Sequence, residues 1–550
     1  MDTDTDTDTA MVMVMDTALQ TQHDRVSQTH TDCNTWLLAK NILKSNKLCV
    51  ANGAGITKWA MAFSALAIGT VSSVNAENWQ ITPKLTVVET LTNNARTSAA
   101  NPSGDLISVI TPGISIDGKG ARASLRLDYG LSGIFQIRDS SANRHQNSLN
   151  ALGKLEAIED WLFVDATGTI TQQYLNPVGA VSPSNTSVNS NQTETSFFSV
   201  SPYVKGRLLS FADYLFRYRA SFTSSKSNAA ADLRNSEWSA RVNGATPWSA
   251  FTWSVDAANL ENDYSFGKDY RSTNFGGDLI YHFSPEWQFL LSAGQESNNY
   301  ASINTQTKNT TGYGFVWKPG SLTELSAKKS KRFFGDGYDV SFKHRLPRSQ
   351  ITYRASKDVS FLPSGVGNTS LGTNYDLLYA IVAAMNPGAS PNAIKSQVEN
   401  FLITNGIPAD GAVVVGSLSN SPHLNKSQEL SMAFLGTRNT VTITATETER
   451  SPFSSAVDQL LPNRTRQRGL GFVWAHHLTG LTSLSLAVNH QQAKSFGATL
   501  QETTTDGAYL FLTTRISPKT QGNIGVRRVV SDGATHYSES ALTGGFSHSF

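Results

Sequence analysis

Residues 118–137 read GKGARASLRLDYGLSGIFQI, and their alternation decides the fold class. Ala121, Ala123, Leu125, Leu127, Tyr129, Leu131, Gly133, Phe135 and Ile137 share one parity. Arg122, Ser124, Arg126, Asp128, Gly130, Ser132 and Gln136 share the other, and only Ile134 breaks the rule. Successive side chains of an extended chain point to opposite faces, so a period of two separates an apolar face from a polar one. Strands of soluble proteins commonly run about five or six residues, and this pattern persists far beyond that. An apolar face so long needs a partner other than protein. The same alternation returns in Tyr214, Phe216, Tyr218, Ala220 and Phe222 against Arg217, Arg219 and Ser221. It recurs in Phe251, Trp253, Val255 and Ala257, and in Val441, Ile443 and Ala445 against Thr442 and Thr444.

Composition narrows the choice. The chain has 550 residues, with 45 Lys plus Arg against 43 Asp plus Glu, so no basic bias points to nucleic acid. Mean hydropathy is −0.26, and no long apolar run follows residue 76, which argues against a helical membrane protein. A membrane barrel remains open, because only alternate residues of its strands face lipid.

The spacing of connections favours that barrel. Short turns fall at Asp117, Ile158, Leu208, Ala245, Phe283, Lys318, Leu346, Gly436, Leu478 and Ser517. Between them lie polar loops near 92–105, 138–147, 176–194, 223–235, 261–270, 298–309, 330–337, 357–426, 451–465, 493–505 and 531–536. Short turns on one side, long loops on the other and both termini on the short side form the pattern of outer-membrane barrels. The expectation is an all-β, transmembrane, antiparallel outer-membrane barrel of about 22 strands, within a range of roughly 18–24. Its polar parity would face the lumen, which makes Arg122, Arg126, Asp128, Arg217 and Arg219 the lumen-facing candidates.

Both ends of the chain carry signals. Residues 58–76, KWAMAFSALAIGTVSSVNA, have a positive start at Lys58, a short apolar stretch and small residues Val74 and Ala76 before Glu77. This is the layout of a secretory signal peptide, after a low-complexity leader over 1–57 and before a barrel over 77–550. Mass spectrometry of the exported protein should find Glu77 at the N-terminus, and intact peptides from residues 1–57 would contradict it. Both cysteines, Cys33 and Cys49, precede that site, so the processed chain would have no disulfide and no thiolate metal site. At the other end, Phe546, His548 and Phe550 share a parity in TGGFSHSF. An aromatic-ended last strand resembles the signal read by the outer-membrane assembly machinery.

One segment departs from the strand pattern. Within 357–426, residues 374–405 read as a helical hairpin, with Asn374 and Ser390 as N-caps and Pro391 at a first helical position. Pro387 and Gly388 separate the two helices, and Asn405-Gly406 ends the second. The expectation is a small external cap, acting either as plain structure or as a gate or docking element.

Chemistry is sparse. There is no paired-His zinc motif, phosphate-binding glycine loop or serine-hydrolase elbow. His476 and His477 are adjacent in a strand, so their rings should point apart. No catalytic, cofactor-binding or metal-ligating residue is expected. KKSKRFF (328–334) concentrates charge beside a loop, as a solvated rim or as an attractor of anionic lipopolysaccharide or polysaccharide.

Four stretches carry a family resemblance: TPGISIDGKGARASLRLDYGLSG, LEAIEDWLFVDATGTITQQYLNP, GFVWKPGSLTELSAKKSKRFFGDGYDVSFKHR, and the hairpin followed by GTRNTVTITATETER. In these the chain resembles the PEP-CTERM-system-associated outer-membrane proteins of Gram-negative bacteria with exosortase and exopolysaccharide loci. The resemblance implies an outer-membrane location among lipid, with exopolysaccharide or PEP-CTERM surface proteins as partners and no nucleic acid. It supplies no site residues. Two functions fit: a channel or export conduit for polar material, or a structural, docking barrel without a conducting pore. Neither is enzymatic.

Overall fold

The computed structural model of the chain describes residues 78–550 except 183, 209–210, 249, 362–416, 454–462, 498–499 and 534–535. The leader, the signal peptide and the hairpin at 374–405 therefore lie outside the described residues. Twenty-two strands form one sheet. The first eleven are β1 (Asn78–Thr92), β2 (Asp105–Lys119), β3 (Ala123–Gln136), β4 (Arg144–Ile158), β5 (Leu162–Tyr174), β6 (Gln192–Leu208), β7 (Ala212–Ser225), β8 (Leu233–Ala245), β9 (Phe251–Tyr264), β10 (Tyr270–His282) and β11 (Trp287–Asn298). The rest are β12 (Gln306–Gly320), β13 (Thr323–Arg332), β14 (Gly335–Leu346), β15 (Ser349–Ser360), β16 (His423–Leu435), β17 (Asn439–Pro452), β18 (Arg464–His477), β19 (Thr482–Phe496), β20 (Leu500–Ser517), β21 (Thr520–Asp532) and β22 (Tyr537–Ser549).

Each strand pairs antiparallel with its sequence neighbours, and β1 closes on β22 from Lys84↔Ser549 to Thr92↔Ala541. Closure leaves no sheet edge, the condition for a sheet to stand in lipid. The chain forms a closed antiparallel β-barrel. β15 and β16 meet directly, with Ser356 opposite Ser427.

The register shows which parity faces where. Val255, Phe275, Leu291, Leu470, Val526 and Leu542 stand exposed on one side of the sheet. Contiguous apolar surface on this scale is not tolerated in water, and lipid is what it fits. At the short-turn end this face gathers aromatics: Trp287 packs 5.7 Å from Trp317, and Phe251 packs 4.9 Å from Tyr281. Rings of that kind belong at a membrane–water interface. Burial within the described residues is concentrated at the long-loop end, where Ile107, Ile134, Val529 and Tyr537 are nearly inaccessible.

Three expectations change in detail. Residues 118–137 are not one strand: β2 ends at Lys119, residues 120–122 turn, and β3 begins at Ala123. Alternation simply continued in phase through the turn. Ile134, the exception to that alternation, is an inward residue buried with Ile107 and Ala95. Finally, 330–337 is no polar loop, because Phe333 and Phe334 alone join β13 to β14. Gly335 follows with φ +94°, a conformation a Cβ would strain. Phe333 packs 5.3 Å from Phe453 and 5.6 Å from Tyr300, which draws this turn inward. The connection between β19 and β20 is likewise reduced to three residues, 497–499.

Candidate functional site: the charged lumen and its bridged mouth

The inward parity carries ion pairs around most of the wall. Asp128 lies 3.5 Å from Lys84 and 3.6 Å from Arg126, and accepts a 2.6 Å hydrogen bond from Ser115. Arg217 is 3.4 Å from Asp165 and lies over the Tyr203 ring at 4.2 Å. Arg219 pairs with Glu237 at 3.3 Å, and Lys328 with Asp278 at 3.2 Å. Arg126, Asp128, Arg217 and Arg219 share the inward parity of the register, and each is ion-paired. Arg122 is the correction: it lies in the β2–β3 turn, bound to Glu159 of the β4–β5 turn. The turn falls below the wall, so parity counting does not apply there.

Such a wall neutralises its own charges in place. It offers donors and acceptors of both signs to a passing solute and selects strongly for neither. Near the short-turn end Phe163 stacks on Tyr203 at 5.2 Å, with Lys205 over the Phe163 ring at 4.3 Å.

Sequence reasoning missed what happens at the other end. The β5–β6 loop crosses the mouth rather than standing outside it. Thr503 of β20 donates to the Val178 carbonyl at 2.7 Å, and Tyr537 of β22 donates to Val181 at 2.6 Å. The Val188 amide reaches the Ala95 carbonyl in the β1–β2 loop at 3.3 Å. Residues 417–422 form a second crossing. The Leu418 amide donates to Tyr174 at 3.0 Å, and Arg450 of β17 donates to the Ser417 hydroxyl at 2.7 Å. Asn420 exchanges bonds with Ala229 and Ala231 of the β7–β8 loop at 3.0 and 2.8 Å. The two crossings meet at Tyr174, so strands far apart on the circumference are tied together. The one available signal was Val178, Ala180 and Val181, apolar residues inside an otherwise polar loop.

Beside the crossing the wall itself parts. Pairing of β4 with β5 stops at Leu149↔Ile170, although both strands continue upward on their other partners. The Glu194 carboxylate of β6 fills the gap, accepting from the Asn147 amide at 2.8 Å and from Lys226 at 2.9 Å. A cavity of about 450 Å³ opens there, lined by Gln146, Gln172, Asn189, Gln192, Glu194 and Lys226. In the surrounding loops, burial raises the Asp232 carboxyl above its ordinary range and lowers Lys268. Lys268 Nζ answers that burial by donating to the Asn299 and Ser302 carbonyls.

Phe546 and His548 lie on the outward parity of β22, and the Phe550 amide donates to Pro83 at 3.0 Å. The His548 ring meets Phe550 edge-on at 4.7 Å. His476 bonds Asn439 at 2.8 Å while His477 bonds Ser483 at 3.0 Å, on opposite faces of β18. Among the described residues no group of three or more His, Cys, Asp or Glu could hold a metal ion.

No family model and no curated protein matches the chain. Solved structures do. A siderophore receptor of Acinetobacter baumannii is 8% identical, with 87% of this chain and 81% of that one covered at a TM-score of 0.47. The FrpB iron transporter of Neisseria meningitidis is 8% identical, covering 85% and 81% at 0.45. OccK2 of Pseudomonas aeruginosa, solved with glucuronate, is 8% identical, covering 88% and 99% at 0.32. Likeness this distant carries nothing on substrate, and the fold rests on the strand pairing of this chain itself.

Proposed function

We propose that this protein is an outer-membrane conduit for polar solutes, constricted at its outer mouth by two crossing segments. The lumen wall carries the reading: ionised side chains are paired along strands and across one or more strands of the wall, and a hydrated path suits that arrangement better than a packed core. The outward apolar face and the asymmetry of turns and loops support the location, and β22 ends in aromatics that resemble the signal read by the assembly machinery. The reading is non-enzymatic. Following the family resemblance, we propose a link between this conduit and exosortase-linked surface sorting or exopolysaccharide export. A docking barrel is the second reading, and the bridged mouth favours it, because a fixed crossing also presents a stable outer surface.

Proteoliposome swelling separates the two. A conduit admits small neutral sugars and amino acids of either charge at comparable rates, as a wall of mixed sign requires. Vesicles containing folded barrel that swell no faster than protein-free vesicles would overturn the conduit and leave docking.

A further inference from the structure

Toward the long-loop end the outward face turns charged: Arg468 pairs with Glu447 at 3.0 Å and Lys494 with Glu502 at 3.1 Å, and one cross-strand row there is dominated by cations. Register places Lys329 of β13 opposite Tyr338, Tyr338 opposite Lys357, and Lys357 directly opposite Lys426. Lys426 is opposite Glu449, and Glu449 opposite Arg466. The whole row shares the parity of Tyr313, which pairs with Lys329 and is 62% exposed, so these side chains leave the barrel outward.

The carboxylates of this row are already engaged. Arg466 holds Glu449 at 2.9 Å, and Lys329 holds Asp336 at 2.9 Å. Lys357 and Lys426 remain face to face, and among the described residues neither forms an ion pair. Directly opposed side chains on an antiparallel pair have Cβ atoms about 4.5–5.5 Å apart, and like charges there are destabilising. Lys331 adds a further cation one step along β13. Asp336 also acts on Lys357 and Lys331, and Glu449 stands opposite Lys426, yet cations outnumber carboxylates in this patch, and such an excess presents a site for an anion.

The position identifies which anion. Lys329 stands directly opposite Tyr313 and Tyr338, Lys357 directly opposite Tyr338, and the Phe334 ring lies 5.6 Å from Lys357 Nζ. Rings mark the depth of lipid headgroups, and Lys stems reach from that depth toward charge. We propose that the outer face of β13–β16 binds the phosphate of an anionic lipid headgroup, with Lys357 and Lys426 as its paired ligands and Lys329 and Lys331 beside them. This rests on the outer-membrane reading.

The test uses the full barrel in phosphatidylcholine vesicles with or without bisphosphorylated lipid A, comparing wild type with Lys357→Gln/Lys426→Gln. Wild type should retain the phosphorylated lipid through purification and unfold at higher temperature in its presence, and the double variant should lose most of both effects. In phosphatidylcholine alone the variant should be at least as stable as wild type, because repulsion is gone. Lys519→Gln, in the β20–β21 turn at the opposite end, should behave as wild type. Equal retention by wild type and double variant would overturn the site. Full competition by inorganic phosphate would overturn the lipid as its ligand. A wild-type barrel that enters neither vesicle would overturn the membrane reading itself, a failure distinct from loss of lipid selectivity after normal insertion.

Discussion

Arg527→Ala is expected to destabilise the barrel by about 3–5 kcal/mol, the cost of leaving a buried carboxylate without its cation. Glu539 of β22 is fully buried, and Arg527 of β21 reaches it at 2.7 Å. Thr92 of β1 donates to the same carboxylate oxygen at 2.7 Å, so three strands at the closing seam share one charge. Removing the guanidinium leaves Glu539 a single hydroxyl donor beneath the β5–β6 crossing. Arg527→Met combined with Glu539→Gln should recover most of the loss, because shape is kept and no charge remains buried. Urea unfolding in lipid vesicles reads both variants. A single variant as stable as wild type would show that water reaches Glu539 freely.

Val255→Arg is the second large effect, about 2–4 kcal/mol if the site lies near the bilayer midplane. Val255 is outward on β9, between Val242 and Gly277. An arginine there puts an unpaired charge into lipid. Ser254→Arg, one residue away, points into the lumen opposite Asp278 and gains a carboxylate neighbour. It should be nearly silent. Equal unfolding midpoints for the two variants would reject the assigned facing, since nothing else separates adjacent residues so strongly.

The contrast between Val255 and Ser254 also shows why so much of the fold was legible. Facing in a two-sided wall is fixed by local parity, and each short turn is marked by residues beside it. The strands around Phe251–Ala257 and Val441–Ala445 were therefore readable one at a time, and the number of connections gave the count. Arg122 was misplaced because alternation does not stop at a turn. The Phe333–Phe334 turn was misread because its charges suggested solvent, while its rings pack on Tyr300 and Phe453. The crossings were not legible at all. Val178 meets Thr503 across 325 residues of sequence, and Ala231 meets Asn420 across 189. No local pattern encodes a partner at that separation. Loops appear as polar intervals, and only the assembled circumference shows which of them turn inward.

The crossing is also where function can be addressed most directly. β5 and β6 remain paired up to Tyr174↔Gln192, so the loop between them can be shortened without moving the wall. Loop closure depends only weakly on length, and a short bridge should cost the barrel little. Replacing residues 176–189 by a Gly/Ser link removes the bonds to Thr503, Tyr537 and Ala95 together. Single-channel conductance of wild type and shortened protein should be recorded side by side in planar bilayers. A conduit constricted at its mouth gives a measurable wild-type conductance and a larger one in the shortened protein, which keeps the heat-modifiable gel shift of a closed barrel. Silence from both proteins, each folded and inserted, would contradict it.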